Sequence, residues 1–173
     1  MRFWIKISLL LLILSGLVAC KQKENKGEKW NKQKSEEWGK KIAQDEDIQI
    51  KLYMDQHSKY HFTPTGSGLQ IAFVKHGDGE PAKSGMIAEV CFKMWLLDGT
   101  LCYQSDLDQT EDFKIDHEDI ESGIQEGIKL MHVGDKCRFI IPSHLAHGLL
   151  GDFEKIPPLS VIIVDVELVG LRK

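Results

Sequence analysis

Alternation of apolar and polar residues predicts most of the strands in this chain. The clearest alternation covers residues 86–97, where apolar side chains fall on one face and charged ones on the other. Asp98-Gly99 then predicts a tight turn into a returning strand at 101–105. A second clear alternation covers 161–171, and weaker patterns predict strands at 69–75, 113–115 and 136–141.

Helix-like spacing of apolar residues predicts two helices. The first covers residues 45–62, where Ile48 and Leu52 are one turn apart. The second is short and begins near Ser122, which fits a capping box with Gln125. Its apolar face would carry Ile124, Ile128 and Met131, with Gln125, Glu126 and Lys129 outside and Gly134 as a left-handed stop.

Several strands and one short helix in the main part of the chain indicate the α+β class. We expect an antiparallel sheet wrapped over one amphipathic helix, because this arrangement buries both apolar faces at once. The N-terminal helix would precede it. A turn-forming cluster at residues 63–68 marks a boundary, so the main domain is predicted at 66–173.

The N-terminus has the pattern of a secretory leader. Arg2 and Lys6 precede a short apolar run at residues 7–14, which predicts a signal peptide at 1–19; an uncleaved anchor is the alternative. Leu17-Val18-Ala19-Cys20 resembles the lipobox of bacterial lipoproteins. That resemblance implies acylation of Cys20, attachment to a membrane of the bacterial cell envelope, and a solvated tether at 20–44.

Composition narrows the classes of function. The 173 residues are 42% hydrophobic and 28% charged, as expected for a globular domain, and the net charge of -4 argues against nucleic-acid binding. The seven histidines are scattered and no CxxC pair occurs, so no metal site or cofactor is predicted.

Three cysteines lie beyond the leader, and an odd number cannot pair completely within one chain. They are Cys91, Cys102 and Cys137. Centring the predicted hairpin on Asp98-Gly99 places Cys102 opposite Trp95. We therefore expect no disulfide between Cys91 and Cys102.

An ordered set of motifs from Gly68 to Leu171 is similar to the FKBP-type peptidyl-prolyl isomerases. The motifs are GDG at 77–79, DG at 98–99, GxxEGxxxMxxGxK at 123–136, IPxxLAxG at 141–148, IPP at 156–158 and VDVEL at 164–168. With its leader and preceding helix, the chain resembles the lipoprotein form of that family, including the isomerase-like lipoproteins associated with gliding motility.

The resemblance implies rotation of prolyl peptide bonds in proline-containing polypeptides, as an aid to folding of envelope or exported proteins. The barrier to rotation is about 18–20 kcal/mol and arises from amide resonance. A twisted amide carries less charge separation, so a dry apolar pocket stabilises it without acid–base groups. The alternative is a catalytically weak or inactive FKBP-fold lipoprotein that acts as a chaperone-like or assembly binding module.

The family's pocket can be transferred position by position. The corresponding residues are Phe92, Tyr103, Phe113, Ile120, Glu121, Ile124, His147, Ile156 and Val164. Tyr103 stands where the family has an Asp, His147 where it has a Tyr, and Val164 where it has a Phe. The pocket should therefore be roomier, less aromatic and without the family's acidic group. Core packing alone would also account for Phe92, Phe113, Ile124 and Val164.

The helix that precedes the main domain has two interpretations. Family members with such a helix use it to dimerise or to pack against the domain, so a homodimer through residues 45–62 is one expectation. A spacer helix fixed only at its end is the other.

Overall fold

The structure is a computed structural model that describes residues 31–105, 109–117 and 119–173. The predicted signal peptide at 1–19 and the predicted lipidation site at Cys20 lie outside the described residues. Contacts divide the chain into a unit ending at Glu36 and a compact unit from Glu37 to Lys173. Of the first unit the structure describes residues 31–36.

Two α-helices and seven strands are described. They are α1 (Lys32–Gln56), β1 (Thr63–Pro64), β2 (Gln70–Lys75), β3 (Ile87–Leu96), β4 (Leu101–Gln104), β5 (Glu111–Lys114), α2 (Ser122–Ile128), β6 (Lys136–Ile141) and β7 (Ile162–Arg172). A 3-10 turn at Ser143–Leu145 follows β6. The sheet has the order β1-β2-β6-β7-β3-β4, with β5 also paired to β3. All pairings are antiparallel, which confirms the predicted α+β class.

The inner face of the sheet packs on α2 and holds the main core. Phe139, Ile128 and Met131 are fully buried there. Two glycines let α2 approach β6: a Cβ at Gly127 would lie 2.5 Å from the Phe139 ring, and one at Gly123 would clash with Ile141. The glycines of the GxxEG motif are therefore explained by close helix–sheet packing.

The predicted capping box of α2 is wrong. The helix has Glu121 at its N-cap, without a side-chain cap. The Ser122 hydroxyl instead donates to the Leu145 carbonyl at 3.3 Å. Gln125 is buried rather than outside, and its side-chain oxygen accepts the Asp116 amide at 3.0 Å. Ser122 and Gln125 thus bond to residues outside α2 and not to the free backbone amides at its start.

Gly134 has the expected left-handed φ of 93°, but it is not the stop of α2. The helix ends at Ile128, and Gly134 lies in the turn that leads into β6. The glycine is needed because the chain reverses there, with the Gly134 amide donating to the Leu168 carbonyl at 2.8 Å.

The first helix begins earlier than predicted. It runs from Lys32 to Gln56, so it starts inside the expected tether at 20–44 and ends before the expected limit of 62. Asn31 provides the start signal, because its side-chain oxygen accepts the Lys34 amide at 2.9 Å. The residues that follow are rich in Lys, Glu and Gln, which have good helix propensity although they show no apolar period.

The outer face of the sheet is covered by the C-terminal half of α1. Ile50 packs with Ile140, Val161 and Ile163 in a second, smaller core. Beside it, the Arg138 guanidinium donates twice to Asp165, at 2.5 and 2.6 Å. Part of α1 is therefore packed on the domain, which contradicts the interpretation as a spacer fixed only at its end.

A buried carboxylate joins α1 to the loop after β6. Glu46 is 4% exposed, and it accepts hydrogen bonds from the Ser143 amide, at 3.0 Å, and from the Ser143 hydroxyl. The Ser143 carbonyl in turn accepts the amides of Ala146 and Gly148, at 3.0 and 2.8 Å. One side chain of α1 thus holds the residue around which the 143–148 loop is built.

The hairpin between β3 and β4 has a different register from the one predicted. Trp95 pairs with Leu101 and Met94 with Tyr103, so Cys102 lies at an irregularity and is not opposite Trp95. Cys91 and Cys102 are both free thiols. Within the described ranges, no helix combines the length and apolarity needed to cross a membrane.

Candidate active site

A cleft of about 260 Å³ opens on the inner side of the sheet. Seven of the nine predicted site residues line it: Phe92, Tyr103, Phe113, Ile120, Glu121, Ile124 and Val164. They come from β3, β4, β5, the segment before α2, α2 itself and β7. The fold therefore brings together residues that are up to 72 positions apart in the sequence.

The floor of the cleft is apolar and continuous with the main core. Val90, Met94 and Val164 are nearly fully buried, and Phe113 is 4% exposed. Phe92 and Ile124 pack on the same core but are only partly buried. A peptide side chain that entered here would meet hydrocarbon on most sides, as a pocket for proline requires.

Tyr103 is anchored at the rim of the cleft by a second residue. Its hydroxyl donates to Asp152 Oδ2 at 2.5 Å. This bond, together with desolvation and the negative charge of Asp152, raises the pKa of Tyr103 to about 12. The tyrosine therefore stays protonated near neutral pH, with its hydroxyl proton directed at Asp152.

Asp152 is the site residue that the sequence did not reveal. Its Oδ1 accepts the amides of Glu154, Lys155 and Ile156, at 2.9, 2.9 and 2.7 Å. Desolvation raises its pKa, but the bonds from Tyr103 and the three amides outweigh this and hold the pKa well below its usual range. An Asp that opens a turn was a weak local signal; its bond to a residue 49 positions away was not predictable from spacing.

His147 does not line the cleft but contacts Glu121, which does. Its Nε2 is 2.8 Å from Glu121 Oε1, close enough for an ion pair. The geometry is not that of a hydrogen bond, and Nε2 is a buried atom without a hydrogen-bond partner. His147 is therefore a close neighbour of Glu121 without a directed bond to it, and its ring does not reach into the cleft.

Ile156 is also absent from the lining of the cleft. It is 2% exposed and belongs to the main core. Its amide supports Asp152, which in turn holds Tyr103. The resemblance implies a place for Ile156 in the pocket, whereas in the structure it supports the cleft through Asp152.

The family's acidic group is replaced by Tyr103, but the cleft has other acidic residues along its lining. Glu111, Asp112 and Glu121 are among its lining residues. Tyr103 does occupy the position where the family has an Asp, but carboxylates enter from β5 and from the segment before α2. The polar sequence around 106–112 gave no period that could assign those side chains to the cleft.

A larger groove, of about 370 Å³, lies elsewhere on the domain. Cys91, Lys93, Lys136 and Asp165 contribute to its lining, and of the predicted site residues only Phe92 does. We assign the site to the smaller cleft, because seven of the predicted site residues line it and only one of them lines the larger groove. In the described part of the chain, no group of three or more His, Cys, Asp or Glu could hold a metal ion.

Comparison with known proteins identifies the family. The model of the FKBP-type peptidyl-prolyl cis-trans isomerases matches residues 78–169, more than half of the chain. The chain belongs to this family. The match begins within the GDG turn and ends in β7, so it contains every predicted site residue from Phe92 to Val164.

Curated relatives agree with the assignment. The FKBP-type isomerase FkpA of Aeromonas hydrophila is 38% identical over 109 residues, which are 63% of this chain and 40% of that protein. The FKBP-type 22 kDa isomerase of Escherichia coli (strain K12) is 32% identical over 121 residues, 69% of this chain and 58% of that protein. The chain spans about half the length of the curated relatives it matches.

Solved structures show the same fold. FkpA from Escherichia coli superposes with a TM-score of 0.66 at 27% identity, covering 80% of this chain and 64% of that one. AtFKBP13 gives a TM-score of 0.60 at 28% identity, covering 64% of this chain and 98% of that one. FKBP members are thus similar to this chain both in sequence and in backbone arrangement.

Proposed function

We propose that this chain is a peptidyl-prolyl cis-trans isomerase that assists the folding of envelope or exported proteins. The observation that carries the proposal is the convergence of seven family site positions on one apolar-floored cleft. Prolyl bonds populate both isomers and exchange slowly enough to limit folding, so an enzyme for them has many clients.

The cleft acts by holding a twisted amide. The proline ring lies against Phe92, Phe113 and Val164, where little water remains, and the twisted bond loses charge separation as it leaves the plane. The backbone at Glu121 holds the peptide, as the resemblance implies. Tyr103 serves as a wall, because its hydroxyl proton is already bonded to Asp152.

Turnover of a prolyl tetrapeptide by the full chain in detergent tests this proposal. We expect a rate above the uncatalysed exchange, and Phe92→Ala should lower kcat/KM about tenfold or more, equal to about 1.4 kcal/mol. The matched control is Phe73→Ala, a change of the same kind on β2 at a half-exposed residue outside the cleft. Absence of any rate above background would reject the enzyme.

A non-catalytic binding module is the second candidate. It is favoured by the apolar side chains exposed in the loop before the IPP motif at Leu149, Leu150 and Phe153, which are 59%, 64% and 83% exposed. Such a surface can bind an unfolded chain without catalysing prolyl isomerisation. Suppression of aggregation of a refolding protein, unchanged in Phe92→Ala and lost in a Leu149→Ser/Leu150→Ser/Phe153→Ser variant, would support this function over the first.

Attachment to a bacterial envelope membrane through a lipid on Cys20 completes the proposed localisation. The support is the lipobox-like Leu17-Val18-Ala19-Cys20 after a short apolar run. When the full chain is made in a bacterium, we expect it in the membrane fraction with added acyl mass. Cys20→Ser should lose both; a chain that stays unmodified at Cys20 would contradict the proposal.

Homodimer formation through α1 is the last part of the proposal. Ile48 and Leu52 are one turn apart on α1 and are 57% and 55% exposed. A second copy could cover them. We expect a dimer in sedimentation experiments that Ile48→Lys/Leu52→Lys converts to a monomer. Asp47→Lys, on another side of the helix, should leave the dimer intact.

A further inference from the structure

The charged residues of the cleft all have the same sign. Glu111, Asp112 and Glu121 line it, and among the described residues no Lys or Arg does. Carboxylates above an apolar floor lie where a peptide on either side of its proline must pass. They can therefore discriminate between clients by charge while the floor accepts the proline ring.

Nearby cations leave much of this charge uncompensated. The Asp112 carboxylate pairs with Arg172 beside Glu89, on the face of the sheet opposite Phe113, so the charge of the cleft comes from Glu111 and Glu121. Glu111 is exposed and has no basic group within ion-pair distance in the described part of the chain. Among the described residues, the one ion-pair partner of Glu121 is His147, whose ring makes no hydrogen bond to it.

One cation lies beside Tyr103. Lys155 Nζ lies 4.6 Å from the centre of the Tyr103 ring. It is next to Glu154 in the chain, and Asp152 accepts the Lys155 amide. The local charge around Tyr103 is therefore negative or balanced, and it does not offset the charges of Glu111 and Glu121.

We propose that the cleft selects prolyl segments with a lysine or arginine next to the proline, and disfavours those with aspartate or glutamate there. This inference rests on the proposed use of the cleft for prolyl peptides. A partly exposed charge pair contributes only modestly to binding. A change from Lys to Glu exchanges attraction for repulsion, so we expect about a fivefold preference or more at low salt.

Binding of four peptides that differ only in the residue before proline tests the inference. With Leu, Gln, Lys and Glu at that position, titration of the full chain in detergent gives the four dissociation constants, and turnover of the same peptides is measured in parallel. The Lys peptide should bind about fivefold or more tightly than the Glu peptide. The difference should shrink towards unity in about 1 M NaCl, where exposed charges are screened.

Variants locate the source of the preference. Glu111→Gln/Glu121→Gln should reduce the Lys-to-Glu ratio to about twofold or less, while Asp47→Asn on α1 should leave it unchanged.

Equal binding of the Lys and Glu peptides, or a ratio unaffected by the double variant, overturns the inference even if the Leu peptide is turned over. A Lys preference without turnover of any peptide supports the inference and rejects the enzyme. No binding of any peptide rejects both.

Discussion

The two faces of the sheet are covered by different means. The core on the inner face contains twenty buried apolar residues among those described, including residues of α2 and of loops, with glycines at the contact between α2 and the sheet. The core on the outer face contains four. There α1 is held largely by polar contacts, because Glu46 accepts the Ser143 amide and the Tyr53 hydroxyl accepts a bond from Arg138. Apolar packing thus defines the domain, whereas polar anchors define where α1 sits and what it holds.

The largest expected effects separate the two cores directly. Ile128→Ala on the inner face should lower the free energy of unfolding by about 4 kcal/mol, since it leaves a cavity in a closed core. Ile50→Ala on the outer face should cost about 2 kcal/mol, because the edge of that core can collapse or admit water. Urea unfolding measures both. Equal losses would mean that the two faces form one core of uniform strength.

The polar anchor is tested by Glu46→Ala. Removing the carboxylate leaves the Ser143 amide and hydroxyl without their partner in a buried place, at a cost of about 2 kcal/mol. Amide hydrogen exchange at Ala146 and Gly148 should speed up as well. Asp47→Ala, at the next and exposed position, should change stability by no more than about 0.5 kcal/mol. Unchanged exchange in the loop would show that Glu46 does not organise it.

Two tyrosines report on the two faces through their titration. Hydrogen bonding to Asp152 raises the pKa of Tyr103 to about 12. On the outer face, desolvation raises the pKa of Tyr53, opposed by Arg138. Because both folded-state pKa values exceed the unfolded value, the stability they contribute is fully present below pH 10 and is lost as pH rises through the folded-state pKa.

Alkaline titration of tyrosine absorbance, with Tyr103→Phe as the difference reference, assigns the step near pH 12. Asp152→Asn should move that step down towards 10 and leave the Tyr53 step in place. If Asp152→Asn does not shift any tyrosine, the Tyr103–Asp152 bond does not form in solution.

The smallest expected effect lies on the exposed part of α1. A Cβ at Gly39 would have no neighbouring atom within 4 Å, so Gly39→Ala should stabilise the helix by about 0.5–1 kcal/mol. Gly127→Ala in α2 should have the opposite sign, with a loss of about 1–3 kcal/mol, because its Cβ would meet the Phe139 ring. Helicity and thermal unfolding measure the pair; a loss at both positions would contradict the helical state of residue 39.

Local sequence patterns predicted the positions of the strands along the chain. The period of two located all the long strands to within a residue or two, with β6 at 136–141 as predicted. Seven of the nine residues that the resemblance grouped line one cleft, and His147 and Ile156 do not. These two are placed by loop geometry, which a linear motif does not describe.

Long-range polar contacts were not predictable. Glu46 lies in a helix of mostly exposed charged residues, and nothing in its neighbours shows that it is buried against Ser143, 97 positions later. Gln125 matched a capping box locally, but a partner from outside the helix took its side chain. The bond between Asp152 and Tyr103 is of the same kind. In each case the fold supplied a partner from outside the element that carries the side chain.

The position of β7 has a consequence for the order of events during synthesis. It is the last of the seven described strands along the chain, yet it lies between β6 and β3 in the sheet. Within the described sheet, the group β1-β2-β6 and the group β3-β4-β5 are joined through β7 alone. Until residues 162–172 have been made, the two halves have no shared strand, so the domain closes in a late, non-local step.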